Sequence, residues 1–197
     1  MDDVYITAMG KFLPGPAVTN DEMEDYLGRI GDKPSRARAR ILKQNGIVSR
    51  HYALDKSQRS THRNSEMAAL AVRDALSRSE ILLSDVQLLA TATTAGDVIA
   101  PGFASMVQGE LAGGRCELAS LSGICASGMM ALKTAYLHVR CGEKDSAVAC
   151  ASEFPSRLLK ASHYETNAAV LAGKSLPYSS EFLRWMLSDG AVSFPSD

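Results

Sequence analysis

The run Val86–Thr94, VQLLATATT, has an almost unbroken apolar centre that gives way to threonine and alanine. A strand with one wet face alternates apolar and polar residues. A run that does not alternate is covered on both faces, as in parallel and mixed sheets. Such a strand needs helices above and below it, and the chain supplies them. Ser65–Ser77 places Met67, Leu70, Ala71 and Leu76 at helical spacing, with Glu66 in the first turn. Pro101–Leu111 predicts a helix with proline in its first turn. Ala126–Arg140 predicts another, with Met129, Leu132, Ala135 and Tyr136 facing inward and Gly142 beyond its end. Between and around them Val4–Met9, Cys116–Leu121, Ser146–Ala151 and Asp189–Phe194 predict further strands. A short helix is expected from Thr19-Asn20-Asp21-Glu22 to Leu27, and a tight turn at Asn45-Gly46. Lys33–Arg40 is basic and is expected at the surface as a loop or short helix, and Leu158–Ala172 is helical in part. This alternation predicts an α/β architecture: a mixed five-stranded sheet with helices on both faces.

Length and composition fit that expectation and narrow the function. The chain has 197 residues, 46% hydrophobic and 22% charged, enough to bury one core. A formal net charge of -1 and the lack of long like-charge runs give no electrostatic reason to expect nucleic acid or an anionic membrane as partner. Residues 1–10 are acidic and do not read as a signal peptide, and no apolar stretch is long enough to span a bilayer. The cysteines at 116, 125, 141 and 150 form no CxxC pair and no metal-ligand spacing. Free thiols in a reducing cytoplasm, with no metal, are the expectation.

Leu121-Ser122-Gly123-Ile124-Cys125-Ala126-Ser127-Gly128 puts a cysteine where a strand hands over to a helix. A helix N-terminus carries unpaired N–H groups and partial positive charge, both of which favour a thiolate. The small neighbours let the backbone turn sharply and let a substrate approach, and the N–H groups of the turn can serve an oxyanion. Taken alone, the spacing leaves two readings open: a nucleophile, or a small buried core residue. Cys116, Cys141 and Cys150 lack this setting and read as core residues.

Four segments then carry a resemblance. Gly123-Ile124-Cys125-Ala126-Ser127-Gly128 resembles the nucleophile turn of the ketoacyl synthase III group of the thiolase superfamily. Asn45-Gly46-Ile47-Val48-Ser49-Arg50-His51-Tyr52 is similar to a signature near that family's start, with His51 in place of an arginine. Ala90-Thr91-Ala92-Thr93-Thr94 followed by Pro101 resembles its second core strand and gate. Ser188-Asp189-Gly190-Ala191 resembles its Gly-Asp-Gly-Ala-Gly strand entry. The resemblance implies that residues 1–197 form the N-terminal half of a thiolase-like ketosynthase. It implies that an acyl group passes from coenzyme A or acyl carrier protein to Cys125. A Claisen condensation with the carbanion of a second thioester follows. No cofactor is implied beyond the acyl-CoA or acyl carrier protein substrate.

The same resemblance places other residues. Glu153, after a core strand, is a candidate base or a structural residue at a strand end. Arg50 matches a position at the coenzyme A entrance, where it holds phosphate or makes a surface ion pair. Ala100 and Pro101 align with the gate, where a small residue leaves room for a long or bulky acyl group. Arg36–Tyr52 resembles enzymes that form dialkylresorcinols or cyclohexanediones. The family's catalytic His and Asn lie in its second half, and His51, His62, His138 and His163 do not match that position. A second polypeptide or further chain supplying that half is one expectation and a naturally truncated, inactive chain is another; a homo- or heterodimer partner is expected to cover an apolar face. Non-catalytic partnership and acyl transfer without condensation are the rival functions.

Overall fold

A computed structural model describes residues 3–31, 34–173 and 176–197, so Lys33 lies outside the described residues. In chain order the elements are β1 (Gly10–Phe12), β2 (Val18–Thr19), α1 (Met23–Leu27), α2 (Arg38–Asn45), β3 (Ser49–Arg50) and α3 (Asn64–Leu76). There follow β4 (Leu88–Ala92), α4 (Phe103–Leu111), β5 (Glu117–Leu121), α5 (Ser127–Arg140) and β6 (Ala147–Glu153). The chain closes with α6 (Ser156–Leu159), α7 (Ala168–Leu171), α8 (Tyr178–Met186) and β7 (Gly190–Ser196). Among the described residues no helix is long and apolar enough to cross a membrane.

The elements divide into two compact units. The first comprises residues 1–13, 63–153 and 190–197. It holds a mixed sheet in the order β1-β7-β6-β4-β5, with β4 parallel to both β5 and β6, and β7 antiparallel to β6 and β1. Every residue of β4 is buried, as its unbroken apolar pattern requires. Its side chains part to opposite faces. Leu89 joins Val148 and Cys150 under Ala68, Ala69 and Val72 of α3 and Phe103, Val107 and Leu111 of α4. Leu88, Ala90 and Ala92 join Ala147 and Ala149 against Ala131 and Ala135 of α5.

This second face is alanine-rich, and it explains a correction. Met129 and Tyr136 were expected inward, but they are 67% and 45% exposed. The inward stripe of α5 is Ser127, Ala131 and Ala135. A Cβ on Gly128 would stand 3.2 Å from the Ala151 Cβ, so the helix lies too close to the sheet for larger side chains. The large apolar residues of α5, Met129, Met130, Tyr136 and Leu137, face outward.

The first strand is also displaced. Val4–Met9 forms no ladder; Ile6 makes an isolated bridge to Ser196, and the ladder strand is Gly10–Phe12, paired with Ala191–Ser193. Pro195 explains the interruption. Its carbonyl accepts the Thr7 N–H at 3.0 Å, but proline has no N–H to return.

The second unit comprises residues 14–62 and 154–189. It contains the β2-β3 hairpin and helices α1, α2, α6, α7 and α8. Met23, Leu27, Ile41 and Trp185 are fully buried. Helix α8, which sequence reasoning did not find, carries Trp185 and Arg184 into this core. The Arg184 guanidinium lies 4.7 Å from the Trp185 ring centre and that of Arg38 at 5.3 Å. Arg184 donates to the carbonyls of Leu159 and Leu27 (3.0 and 3.1 Å) and to that of Gly28.

Asp189 closes this unit. It is 2% exposed and accepts from Ala53 N (2.7 Å), Ser156 N (3.0 Å) and Ser156 Oγ (2.5 Å). Burial pushes its carboxyl from 3.8 up to about 6, against the pull of the Ser156 and Ala53 donors. A raised native value favours the protonated form in the fold. The associated stability is therefore fully present below about pH 3.8 and is lost as pH rises through about 6. The shift corresponds to about 3 kcal/mol. Urea unfolding from pH 4 to pH 7 is expected to show this loss in the wild type relative to Asp189→Asn, which has no proton to release. A constant difference between the two proteins across that range would contradict it.

Candidate active site

In the first unit, β4, β5 and β6 run parallel, and their carboxyl ends lie side by side. The chain leaves β4 through α4 on one face of the sheet and leaves β5 through α5 on the other. The crevice at such a divergence is where open α/β sheets bind ligands. Three sequence-predicted residues or segments meet at this end: the turn bearing Cys125, the loop with Ala100 and Pro101, and Glu153.

Cys125 sits in a 3-10 turn, Ile124–Ala126, between β5 and α5, and its side chain is exposed. The turn is locked locally. Ala126 N–H bonds the Gly123 carbonyl (3.1 Å), and the Ser127 hydroxyl bonds that of Ile124 (2.8 Å). Ile124 adopts φ 50°, a left-handed conformation that a β-branched residue takes only under constraint. A Cβ on Gly123 would meet Met130 Sδ at 2.6 Å, so glycine lets the strand end approach α5 closely. The sulfur is thereby presented to solvent two residues ahead of the first residue of a 14-residue helix.

The other cysteines differ. Cys150 is buried against the Ala68 carbonyl (3.6 Å), and burial pushes its thiol up to about 12. Cys116 is half-buried and its thiol is likewise raised by burial. Cys141, expected in the core, is instead exposed, because it falls just beyond the last turn of α5.

Ala100 and Pro101 are exposed, joined by a cis peptide bond, and precede rather than begin the helix. Helix α4 starts at Phe103, where the Ser120 hydroxyl of β5 accepts the Ala104 N–H at 2.9 Å. The loop before Ala100 is held from two sides. Glu153 Oε1 accepts both the N–H and the hydroxyl of Thr94 (2.8 and 2.7 Å). Asp97 accepts the N–H groups of Asn64 and Ser65 at the start of α3, each at 2.8 Å. Buried Asn64 in turn bonds Thr93 Oγ1 (2.9 Å) and Ser152 Oγ (2.7 Å).

Glu153 therefore holds the gate loop through Thr94, the structural alternative for this residue. Asn64, Thr94 and Asp97 were missed as site residues. Asn64 could have been read as a helix-start residue, but nothing in the sequence links it to a carboxylate 33 positions later. Asp97→Ala removes the acceptor of two helix-start donors and is expected to cost about 1–2 kcal/mol. Asp97→Asn should recover most of that loss in denaturant titration. Equal stability of Asp97→Ala and wild type would contradict the clamp.

Arg50 requires a correction. It lies in the second unit and is 1% exposed, and among the described residues it makes no ion pair. Its guanidinium donates to Asn20 Oδ1 and to the Trp185 carbonyl, both at 2.6 Å. A guanidinium sealed in this way holds the hairpin to α8 and is not presented to a phosphate.

No family model matches the chain. Among curated proteins it is 28% identical over 168 residues to beta-ketoacyl-[acyl-carrier-protein] synthase III 1 of Lactiplantibacillus plantarum, covering 85% of this chain and 48% of the relative. It is 31% identical over 154 residues to the corresponding synthase III of Roseobacter denitrificans, covering 78% of this chain and 44% of the relative. Among solved structures, a tetronic acid condensing enzyme, AbyA1, superposes with a TM-score of 0.79 at 22% identity, over 98% of this chain and 54% of its own. The priming beta-ketosynthase of the R1128 polyketide pathway gives 0.73 at 19% identity, over 98% and 49%. The chain is a thiolase-fold relative of beta-ketoacyl-[acyl-carrier-protein] synthase III and spans about half the length of the curated relatives it matches.

Proposed function

We propose that the chain is the N-terminal, nucleophile-bearing half of an acyl-thioester condensing enzyme of fatty acid or polyketide biosynthesis, acting in the cytoplasm. The observation that carries this reading is the exposed Cys125 on its locked turn ahead of α5. The Cys125 thiolate attacks the carbonyl of an acyl-CoA or acyl carrier protein thioester. The carrier thiolate leaves, and the acyl group remains on sulfur. The α-carbanion of a second thioester then attacks this carbonyl, a carbon–carbon bond forms, and the Cys125 thiolate is expelled.

A second half of the thiolase fold supplies the His and Asn for the condensation step. The outward apolar residues of α5 support an association of that kind, either with this half or with a dimer partner. The small, exposed Ala100 supports acyl groups larger than acetyl, and the dialkylresorcinol- or cyclohexanedione-forming enzymes are one class of that kind.

Incubation with radiolabelled acyl thioesters of graded length, with and without the second half, tests the reading. Label on Cys125 plus a ketone product once both halves are present is the expected result. Label without ketone would point to simple acyl transfer, and no label in either condition to a non-catalytic partner. Loading of acetyl alone would contradict the role given to Ala100.

A further inference from the structure

At the opposite end of the same sheet, three side chains from separate segments converge. Glu117 opens β5, His138 lies in the last turn of α5, and Glu143 follows that helix. One ligand atom from each, the His138 nitrogen and a carboxylate oxygen of each glutamate, lies within 4.8 Å of the other two. His138 Nε2 is 3.9 Å from Glu117 Oε1 and 3.8 Å from Glu143 Oε2. The backbone builds this arrangement. Gly142 takes φ 71°, and the N–H groups of Glu143 and Lys144 both return to the His138 carbonyl (3.0 and 3.2 Å). The chain therefore folds back and sets Glu143 beside the ring.

Two of the three groups are oriented by partners outside the trio. His138 Nδ1 lies 2.8 Å from the Thr134 carbonyl, and that contact requires Nδ1 to carry the proton. Nε2 then faces the two carboxylates. Lys144 Nζ binds Glu117 Oε2 at 2.9 Å and leaves Oε1 directed at the ring. A backbone carbonyl on the second ring nitrogen and a hydrogen-bonded carboxylate are the usual outer supports of metal ligands.

We propose that Glu117, His138 and Glu143 bind a divalent transition-metal ion of the zinc type, with water completing the coordination. One imidazole nitrogen and two carboxylate oxygens suit zinc, cobalt or nickel. Bonds of about 2.1 Å place tetrahedral ligands about 3.4 Å apart, so the two His138–carboxylate separations need to close by about 0.5 Å and the Glu117–Glu143 separation, within 4.8 Å, by up to about 1.4 Å. The side chains of Glu117 and Glu143 are 47% and 60% exposed, so neither is confined by surrounding packing. The ion would staple the start of β5 to the end of α5, remote from Cys125 and independent of acyl chemistry.

Calorimetric titration of the metal-stripped 197-residue chain with zinc chloride tests the site, with cobalt absorption reporting the ligand set. The expected result is one ion per chain and cobalt bands without thiolate charge transfer. His138→Ala and Glu143→Gln should each weaken binding at least about tenfold. Glu143 is exposed, so its variant tests the site even if His138→Ala fails to fold. Cys125→Ala should leave binding unchanged. Binding that persists undiminished in a folded ligand variant, cobalt bands with thiolate character, or no binding at millimolar zinc would each overturn the proposal.

Discussion

Cys125→Ala is expected to abolish acyl loading from a thioester donor, by at least about a thousandfold, while leaving stability within about 0.5 kcal/mol of wild type. The two halves of this expectation have separate grounds. The thiol is exposed, and the turn that carries it is held by Gly123, Ile124 and Ser127 through backbone and hydroxyl groups that the substitution leaves intact. Its removal therefore opens no cavity. Cys141 supplies an internal comparison, since it is also exposed but lies past the carboxyl end of α5. Cys141→Ala should load like wild type. Loading that survives Cys125→Ala and disappears with Cys141→Ala would reverse the assignment.

Gly10→Ala is expected to produce the largest loss of stability. A Cβ at this position would stand 2.2 Å from Ala75 N, 2.5 Å from the Ala71 carbonyl oxygen and 2.6 Å from Ala75 Cα. All three atoms are helix backbone and cannot rotate away. Accommodating the methyl group requires β1 and α3 to separate, which costs about 3 kcal/mol or more. For a protein of this size that is a fall of roughly 10 °C in the thermal midpoint. Gly109→Ala gives the opposite sign. It lies within α4 with nothing within 4 Å of the added atom, and alanine there should stabilise by about 0.5–1 kcal/mol. Thermal melts of both variants separate the close approach at Gly10 from any general effect of replacing glycine. Equal midpoints for Gly10→Ala and wild type would contradict the packing described.

The parts of the fold that were legible in the sequence share one property: their pattern is local. The unbroken apolar run of β4 requires cover on both faces wherever it sits, and α3 and α4 follow from spacing alone. The turn at Cys125 is local too, and its flanking strand and helix bound it within a few residues. Misreadings arose where a partner segment decides. Met129 and Tyr136 have the right spacing to face inward, but on the alanine surface of β4 and β6 the fully buried apolar residues of α5 are Ala131 and Ala135, with Leu132 and Val139 packed beside them. Pro195, distant in sequence, shortens the first strand. Arg50 reads as a surface cation until α8 encloses it. The gate clamp joins Asn64 to Asp97 and Thr94 to Glu153, pairs whose separations carry no sequence signature.

Peptide mapping of the wild-type chain after brief exposure to an acyl thioester tests the central claim most directly. The account predicts one acyl group per chain, on the peptide containing Cys125, with Cys116, Cys141 and Cys150 unmodified. Acylation spread over the exposed thiols in proportion to their accessibility, or confined to Cys141, would contradict it.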